Sequence, residues 1–445
     1  MGICIEVKYD KDRVIFDFGA PFEPFSEVYD GTVKHRIINR VKDAILLHKA
    51  CVIDGIYAKK DLQDLDIKPY EESDLNTAIL ICHLHLDHMS EIDKVHPNIP
   101  VYISEDGLKM NSLIDEMEDN TIYRNYSSFR YNESFTVGQI RITPYFSDHS
   151  CTGSASFLIQ TPDNNIVYTG DIRFHGTNRD VAFKSIENIA QNHVDLLIID
   201  STASSPSEFE YDDKLLEEYR KPSKEILKGC VLEQDLYDEV YDNLKDFDGI
   251  GVINISPRDI NMLKNMYDTA IKLNRIAVYE PYYANILYKI SGYKPLVLEP
   301  ETSKPYIDLL RNELEFITID EIRKNPYKYI VQNDYRNILN LTDFDGINGK
   351  YFHYFGDPLV QGTKQYQIML NFLDKLKWEY HSSCSLYSFS HSYPNHLAWV
   401  VDTIKPSSVV AVHSKHPENF NPVNSKQFFP EENITYILEK GELHV

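Results

Sequence analysis

The sequence lacks the features that would place it in a membrane or secreted class. It contains no run of about 18 apolar residues, so a membrane-spanning helix is not expected. The first residues lack the basic stretch and the long apolar stretch of a secretory signal, and Glu6 stands where an N-myristoylation motif needs serine or threonine. The six cysteines are scattered without a Cys-x-x-Cys pair, which excludes a disulfide framework. These absences predict a cytoplasmic protein with free thiols and no membrane partner.

Basic residues are also scarce relative to acidic ones. The 445-residue chain has 45 lysines and arginines against 68 aspartates and glutamates, a formal net charge of −23. Such a charge repels polyanions at long range and excludes non-specific nucleic-acid binding by the whole surface, although it is compatible with a local basic groove. Divalent cations bound at acidic ligands would neutralise part of this charge.

Three histidines and one aspartate are concentrated in the segment His83-Leu84-His85-Leu86-Asp87-His88. The apolar run at 77–82 predicts a buried strand before it, and residues 89–93 predict the first turn of a helix. Imidazole and carboxylate groups at this spacing are typical of a transition-metal site. His83 and His85 can reach one metal, while Asp87 and His88 suit a second. The alternative is a histidine-rich surface loop without ligands.

Four further polar residues stand at the ends of predicted strands: Asp17, His149, Asp171 and His413. In layered α/β proteins such strand ends gather at one edge, where sites form. Each residue alone could simply terminate a strand, but their joint occurrence with the 83–88 segment indicates a two-metal site.

The order of predicted elements divides the chain into three parts. The pattern is strand-rich up to about residue 203, with a hairpin at the start and an amphipathic helix over 34–50. The residue pattern changes at a Ser/Pro-rich stretch near residue 204, which indicates a domain boundary. The strand–helix–strand order from about residue 251 predicts a parallel α/β unit. Strands predicted at 385–389 and 408–412 end near histidines. We expect a first domain part at 1–203, an inserted α/β domain at 204–382, and a returning part at 383–445.

The motifs resemble those of the metallo-β-lactamase superfamily. His83-x-His85-x-Asp87-His88, His149 and Thr169-Gly170-Asp171 are similar to its metal motifs, and Asp17 is similar to its first motif. Asp200, His391 and His413 resemble the three additional motifs of the β-CASP branch, which includes ribonuclease J. The resemblance implies an α/β fold, an αββα sandwich carrying an inserted α/β β-CASP domain.

The resemblance also implies a role for each residue. One metal would be bound by His83, His85 and His149, a second by Asp87, His88 and His413, with Asp171 bridging both. Asp17 and Asp200 would hold ligating imidazoles or orient the water. The catalytic residues would be Asp87, Asp200 and His391, with His391 contacting the scissile phosphate or protonating the leaving oxygen.

The implied activity is that of a metal-dependent phosphodiester hydrolase, a ribonuclease J-like RNA-processing or RNA-degrading nuclease that uses a metal-bridged hydroxide. Two divalent metal ions are expected, zinc first and manganese as the alternative. The implied partners are single-stranded RNA and a second copy of the chain. Exonucleolytic and endonucleolytic cleavage are both compatible with the motifs. A metallo-hydrolase of a lactone, thioester or cyclic phosphodiester on the same fold is the alternative, and the acidic composition favours it. A catalytically weak scaffold is disfavoured, because every expected ligand type is present.

The substitution His85→Ala is expected to abolish hydrolysis and to leave the fold largely intact, because it removes one metal ligand from a loop. Hydrolysis in metal-replete buffer and circular dichroism measure the two effects. Retained hydrolysis by the variant would contradict the dinuclear mechanism.

Overall fold

The computed structural model describes residues 2–21, 33–34, 36–118, 124–202, 230–359, 361–382, 390–420 and 422–445. Within these ranges the chain forms three larger sheets and one small hairpin sheet. Two of the large sheets pack against each other, and the third is built from residues 250–381.

The first sheet has five strands in the order β1–β2–β3–β4–β5. They are β1 (Ile5–Tyr9), β2 (Asp12–Phe16), β3 (Asn76–Leu80), β4 (Val101–Ser104) and β5 (Tyr126–Phe129). The predicted hairpin is confirmed, since β1 and β2 are antiparallel, while β2 to β5 pair in parallel. The carboxyl ends of β2 and β3 therefore lie side by side, which brings Asp17 next to the 83–88 segment.

The second sheet has seven strands in the order β19–β18–β10–β9–β8–β7–β6. They are β6 (Phe135–Val137), β7 (Ile140–Phe146), β8 (Ala155–Gln160), β9 (Asn165–Tyr168), β10 (Leu196–Asp200), β18 (Ser408–Val412) and β19 (Lys426–Phe428). Strands β6 to β9 are antiparallel neighbours, whereas β9, β10, β18 and β19 are parallel. Asp200 pairs with Val412, so the end of β10 lies beside His413.

An apolar core fills the space between these two sheets. Val14 and Phe16 of β2 belong to it, while Ile15 between them belongs to the cluster on the opposite face, as the period of a strand requires. The Phe16 ring lies 5.2 Å from the ring of Phe157 on the second sheet. Apolar side chains therefore alternate between the two faces of each strand, and those on the inner faces pack between the two sheets to form a sandwich.

Helices cover both outer faces of the sandwich. Helices Arg179–Ile189 and Pro394–Ile404 pack on the second sheet, and helices Arg40–Leu46 and Glu105–Glu118 pack on the first. The αββα layer order predicted from the sequence is therefore confirmed. The short helices of these layers are Lys59–Leu62 and Leu86–Met89, with 3-10 turns at Tyr70–Glu72, Ile92–Lys94 and Pro417–Asn419. A hairpin of β20 (Ile437–Glu439) and β21 (Glu442–His444) follows them.

The third sheet is parallel throughout, in the order β14–β13–β12–β15–β11–β16–β17. Its strands are β11 (Ile250–Ile255), β12 (Ile276–Tyr279), β13 (Leu296–Leu298), β14 (Phe316–Ile317), β15 (Tyr329–Gln332), β16 (Gly349–Tyr354) and β17 (Glu379–His381). Its helices are Glu233–Leu244, Ile260–Lys272, Pro281–Ser291, Pro305–Leu310, Ile319–Lys324 and Lys364–Leu376, with 3-10 helices at Pro326–Lys328 and Tyr335–Phe344. The predicted parallel α/β unit is confirmed.

The first helix is shorter than the sequence predicts. The helix predicted over 34–50 is limited to Arg40–Leu46, and Ile37 and Ile38 are 87% and 82% exposed. It ends before His48, whose backbone is left-handed with φ 56°. The strand predicted at 385–389 and the boundary near residue 204 lie outside the described residues, so the three-part division stays a prediction. In the described ranges, no helix combines the length and the apolarity needed to cross a membrane.

Gly19 allows the histidine segment to approach β2 closely. A Cβ at this position would lie 1.9 Å from the backbone carbonyl carbon of Asp87. Phe18 N donates to His88 O at 2.7 Å, and Ile3 N donates to Asp87 O at 2.9 Å. The backbone of two candidate ligands is therefore held by the end of β2 and the segment before β1.

The substitution Gly19→Ala is expected to lower the free energy of unfolding by about 1–3 kcal/mol, because the new methyl group meets backbone that cannot move without breaking these bonds. Urea unfolding measures the loss. Gly292→Ala is the control, since its Cβ would meet nothing within 4 Å and only its left-handed backbone, φ 75°, is disfavoured. Equal losses in the two variants would contradict the close-approach explanation.

Candidate metal centre

The 83–88 segment leaves the carboxyl end of β3 and turns into the short helix Leu86–Met89. His83 and His88 are almost fully buried, with 2% and 0% exposure. The turn folds back on the sheet edge, so side chains from alternate residues converge, as the sequence predicts.

Asp171 is at the centre of the candidate site. It follows β9 through Gly170, whose backbone is left-handed with φ 55° and whose Cβ would meet the Cβ of Cys82 at 2.9 Å. The Oδ2 atom of Asp171 lies within 3.9 Å of a ring nitrogen of five histidines: His83 (3.6 Å), His88 (3.3 Å), His149 (3.6 Å), His391 (3.9 Å) and His413 (3.9 Å). A single carboxylate thus borders both predicted ligand groups.

The first donor group consists of His83, His85, His149 and Asp171. His149 Nε2 lies 3.1 Å from His85 Nδ1, and both His83 Nε2 and His149 Nε2 lie 3.6 Å from Asp171 Oδ2. Donors in a tetrahedron with bonds of about 2.0–2.2 Å are separated by about 3.4 Å. The spacing therefore fits one tetrahedral cation.

The second donor group consists of Asp87, His88, His413 and the same Asp171. His413 Nε2 lies 2.9 Å from Asp87 Oδ2, and His88 Nε2 lies 3.7 Å from the same oxygen. In the part of the chain that the structure describes, His83 Nε2 and His88 Nε2 are buried without a hydrogen-bond partner. Buried polar atoms are normally satisfied, so these nitrogens fit metal ligation, one in each group.

The opposite ring nitrogens are held by the protein. His88 Nδ1 donates to Asp17 Oδ2 at 2.9 Å, and His149 Nδ1 donates to the Ser390 carbonyl at 2.6 Å. Asp17 is fully buried and also accepts from Tyr168 Oη at 2.6 Å and from Cys82 N at 2.7 Å. Such partners fix the tautomer of a ligating histidine and direct Nε2 towards the metal.

Asp200, His391 and His413, which resemble the β-CASP motifs, form a second hydrogen-bonded group beside the one around Asp17. His391 Nδ1 donates to Asp200 Oδ2 at 2.7 Å. Thr202 Oγ1 donates to Asp200 Oδ1 at 2.8 Å and accepts from His413 Nδ1 at 2.6 Å. Asp200 therefore positions His391 directly and His413 through a hydroxyl.

The electrostatics differ between the two donor groups. Burial lowers the pKa of His83 and His149 well below the usual histidine value, and it lowers the pKa of His85 to about 4. Burial also acts to lower the pKa of His413, but Asp171 and the hydrogen bond to Asp87 outweigh it and raise this pKa to about 9. The pKa of His88 is also raised, because Asp171, Asp17 and Asp87 together outweigh the effect of burial. The first group thus offers neutral imidazoles, while the carboxylates of the second group attract positive charge.

A buried charge cluster ties the centre to the third sheet. Arg173, which is fully buried, lies 3.3 Å from Asp148 Oδ1, 2.8 Å from Glu233 Oε2 and 3.1 Å from Asp259 Oδ2. Asp148 precedes His149, and Arg173 follows Asp171 by two positions. The loops that carry these two donors are thereby fixed to the start of two helices around the third sheet.

All of the predicted site residues are brought together at this edge. Four residues that were not predicted hold the predicted residues in place: Thr202, Tyr168, Ser390 and Arg173. Each stands within three positions of Asp200, Asp171 or His391, and this closeness in the sequence is the signal that could have marked them.

Comparison with known proteins agrees with this geometry. A family model described as "Beta-lactamase superfamily domain" matches residues 52–222, which contain the 83–88 segment, His149, Asp171 and Asp200. Residues 52–222 are thus similar to the β-lactamase superfamily domain. The fold is shared with a solved structure of a protein of unknown function from Enterococcus faecalis V583, with a TM-score of 0.78, 23% identity and coverage of 97% of this chain and 95% of that one.

Curated relatives lie in the β-CASP, ribonuclease J-like branch of the superfamily. Ribonuclease J of Pyrococcus abyssi is 24% identical over 253 residues, covering 53% of this chain and 51% of that protein. The RNase J-like protein of Methanocaldococcus jannaschii is 23% identical, covering 45% and 46%, and the endoribonuclease YSH1 of Gibberella zeae is 27% identical, covering 30% and 19%. The chain thus spans about half or less of the length of these relatives.

The substitution Asp17→Asn is expected to weaken metal binding by about 10- to 100-fold, because the amide no longer serves as an anionic acceptor for His88, Tyr168 and Cys82. Competition with a chelating dye measures the affinity. Asp163→Asn is the matched control, since Asp163 is exposed and bonded to Tyr9 at 3.0 Å. Unchanged affinity in Asp17→Asn would contradict the assigned role of Asp17.

Proposed function

We propose that this protein is a metal-dependent phosphodiester hydrolase, a ribonuclease J-like RNA-processing or RNA-degrading nuclease. One observation carries the proposal: two donor groups share Asp171, and His391, held by Asp200, stands beside both. A pair of adjacent cations next to a positioned histidine can stabilise in-line attack on phosphorus and protonate the leaving oxygen.

Two divalent ions fit the centre, with zinc expected from the mixture of imidazole and carboxylate donors and manganese as the alternative. The first would be held by His83, His85 and His149, the second by Asp87, His88 and His413, with Asp171 between them. When bound, the ions would supply an activated water and stabilise charge on the phosphoryl oxygens.

The protein's own groups would orient the reaction. Asp200 holds His391 through Nδ1, which leaves Nε2 as the atom that can donate a proton to the leaving oxygen. Asp17 and Thr202 keep Nε2 of His88 and His413 directed towards the centre. Burial of these groups strengthens each hydrogen bond by lowering the local dielectric.

The substrate we propose is single-stranded RNA, which is supported by the ribonuclease names of the curated relatives. We propose as well that the protein forms a homodimer and is located in the cytoplasm.

We also propose that residues 1–203 and 383–445 form one domain around an inserted domain at 204–382. Two facts support the division: the third sheet is built from residues 250–381, and β18 and β19 return to the second sheet.

A small-molecule metallo-hydrolase is the second candidate, and the net charge of −23 favours it. The deciding experiment measures hydrolysis of 5′-monophosphorylated single-stranded RNA by the purified protein with its metal content quantified. Bis(p-nitrophenyl) phosphate and a lactone or thioester run alongside, each with His85→Ala as control. RNA cleavage that is lost in His85→Ala supports the nuclease, and the product ladder distinguishes exonucleolytic from endonucleolytic cleavage. Turnover of the small substrates alone would overturn the nuclease proposal.

The substitution His391→Ala is expected to lower the rate of phosphodiester cleavage by about 10²–10⁴-fold, the usual contribution of a general acid, with little loss of metal. Cleavage rates and metal content per chain measure the two effects. His193→Ala is the control, because the His193 side chain is 73% exposed and pairs with Asp195 away from the centre. Equal loss of metal and activity would show that His391 acts as a ligand instead.

A further inference from the structure

Two half-buried cysteines from distant parts of the sequence meet beside the first sheet. Cys4 lies in the segment before β1, and Cys51 lies in the loop after helix Arg40–Leu46. Their thiols are hydrogen-bonded to each other and pack against the same apolar cluster. A disulfide needs the sulfurs to approach to about 2.05 Å, which two thiols already in contact reach with small side-chain movements.

The two thiols stand on backbone that is anchored independently. Arg13 of β2 donates to Asp54 O at 2.8 Å, which ties the loop of Cys51 to the first sheet. Ile3 N donates to Asp87 O at 2.9 Å, which ties the segment before β1 to a candidate metal ligand. A covalent bond between the two thiols would therefore connect the backbone beside the metal centre to a second anchored loop.

The two thiols differ in reactivity. The hydrogen bond from Cys4 lowers the pKa of Cys51 below the usual thiol value, and the same bond raises the pKa of Cys4 well above it. The thiolate is the form that attacks a peroxide. In contrast, burial raises the pKa of Cys82 well above the usual value and that of Cys151 to about 11. Cys51 is thus the thiol suited to attack, with Cys4 as its partner.

We propose that Cys4 and Cys51 form a reversible disulfide when the protein meets a peroxide. The Cys51 thiolate attacks one peroxide oxygen, so that an S–O bond forms, the O–O bond breaks and the released hydroxide takes the proton of Cys4. The Cys4 thiolate then attacks the Cys51 sulfur, so that the S–S bond forms, the S–O bond breaks and solvent protonates the second hydroxide. Both sulfurs are oxidised, the peroxide is reduced to water, and a dithiol reverses the bond by exchange.

The disulfide would stabilise the backbone beside the metal centre. Hydrogen bonds hold the segment before β1 on the sheet, and a covalent link adds a constraint that local opening cannot break. Because this segment holds Asp87 O, the oxidised protein would release a metal from the second donor group more slowly. The inference does not rest on the nuclease proposal, since it concerns the thiols and the metal and not the substrate.

The first test maps the bond. The reduced protein is treated with hydrogen peroxide, blocked with N-ethylmaleimide and digested with trypsin without reductant. Cleavage after Lys8, Lys49 and Lys59 places Cys4 in residues 1–8 and Cys51 in residues 50–59. We expect these two peptides to be joined with a mass loss of about 2 Da and to separate in dithiothreitol. Alkylated thiols in both peptides, or sulfinic acid without the joined pair, would overturn the inference.

The second test assigns the two roles. In Cys4→Ser the hydroxyl still donates a hydrogen bond but cannot resolve the oxidised thiol, so Cys51 should accumulate as a sulfenic acid that dimedone labels. In Cys51→Ser the reactive thiol is gone, so Cys4 should stay unlabelled. Cys230→Ser is the matched control and should form the disulfide normally, because the Cys230 sulfur contacts His396 Nε2 at 3.3 Å, away from the pair. Equal labelling of the two variants would contradict the assigned roles.

The third test measures the effect on the metal centre. Zinc release from the loaded protein to a chelating dye is compared after peroxide and after dithiothreitol. We expect release to be several-fold slower from the oxidised protein and unchanged by peroxide in Cys51→Ser. Equal rates in the oxidised and reduced protein, or the same change in Cys51→Ser, would overturn the link between the disulfide and the centre. A protein that binds no zinc at all would contradict the metal centre itself, while the peptide map still decides the disulfide.

Discussion

One carboxylate oxygen, Oδ2 of Asp171, organises the candidate centre. It faces ring nitrogens from five histidines, which arrive from three loops of the first and second sheets and from the segment before helix Pro394–Ile404. Protonated imidazoles would repel one another at these distances, and unpaired carboxylates would carry a high desolvation penalty. Divalent cations held between the two donor groups would satisfy the imidazoles and the carboxylates together.

The protein holds this arrangement by bonding the outer side of each ring. Asp17, Ser390 and Thr202 bond the Nδ1 atoms of His88, His149 and His413, so the Nε2 atoms of these rings face the other donors of the centre. Behind them, Arg173 joins the loops of His149 and Asp171 to the helices of the third sheet. Removing one partner from such a buried cluster costs more than the pair contributes, since a charge is left unpaired. The geometry of the centre therefore depends on the third sheet as well as on the sandwich.

The sequence was sufficient to predict those candidate ligands that also mark the ends of strands. The histidines and aspartates stand at the ends of apolar strands, so the strands and the clustering of these residues could be predicted from the spacing, while the αββα layers were implied by the family resemblance. The helix over 34–50 was predicted too long, because Ile37 and Ile38 continue its apolar period although they are exposed. Thr202 and Ser390 stand close to predicted residues in the sequence, but the histidines that they bond come from distant segments. Which histidine each one holds follows only from the packing of the strands, such as the parallel pairing of β10 with β18.

The pairing of β10 with β18 has a consequence for synthesis of the chain. Leu196 lies opposite Ser408 and Asp200 opposite Val412, so the strand that presents His413 can join its neighbour only after most of the polypeptide has been made. During translation the 83–88 segment emerges early, and the second donor group stays incomplete until His413 has been made. The nuclease proposed above would therefore have an incomplete metal centre for as long as the chain is nascent, because a ligand of the second donor group lies on the last part to be made.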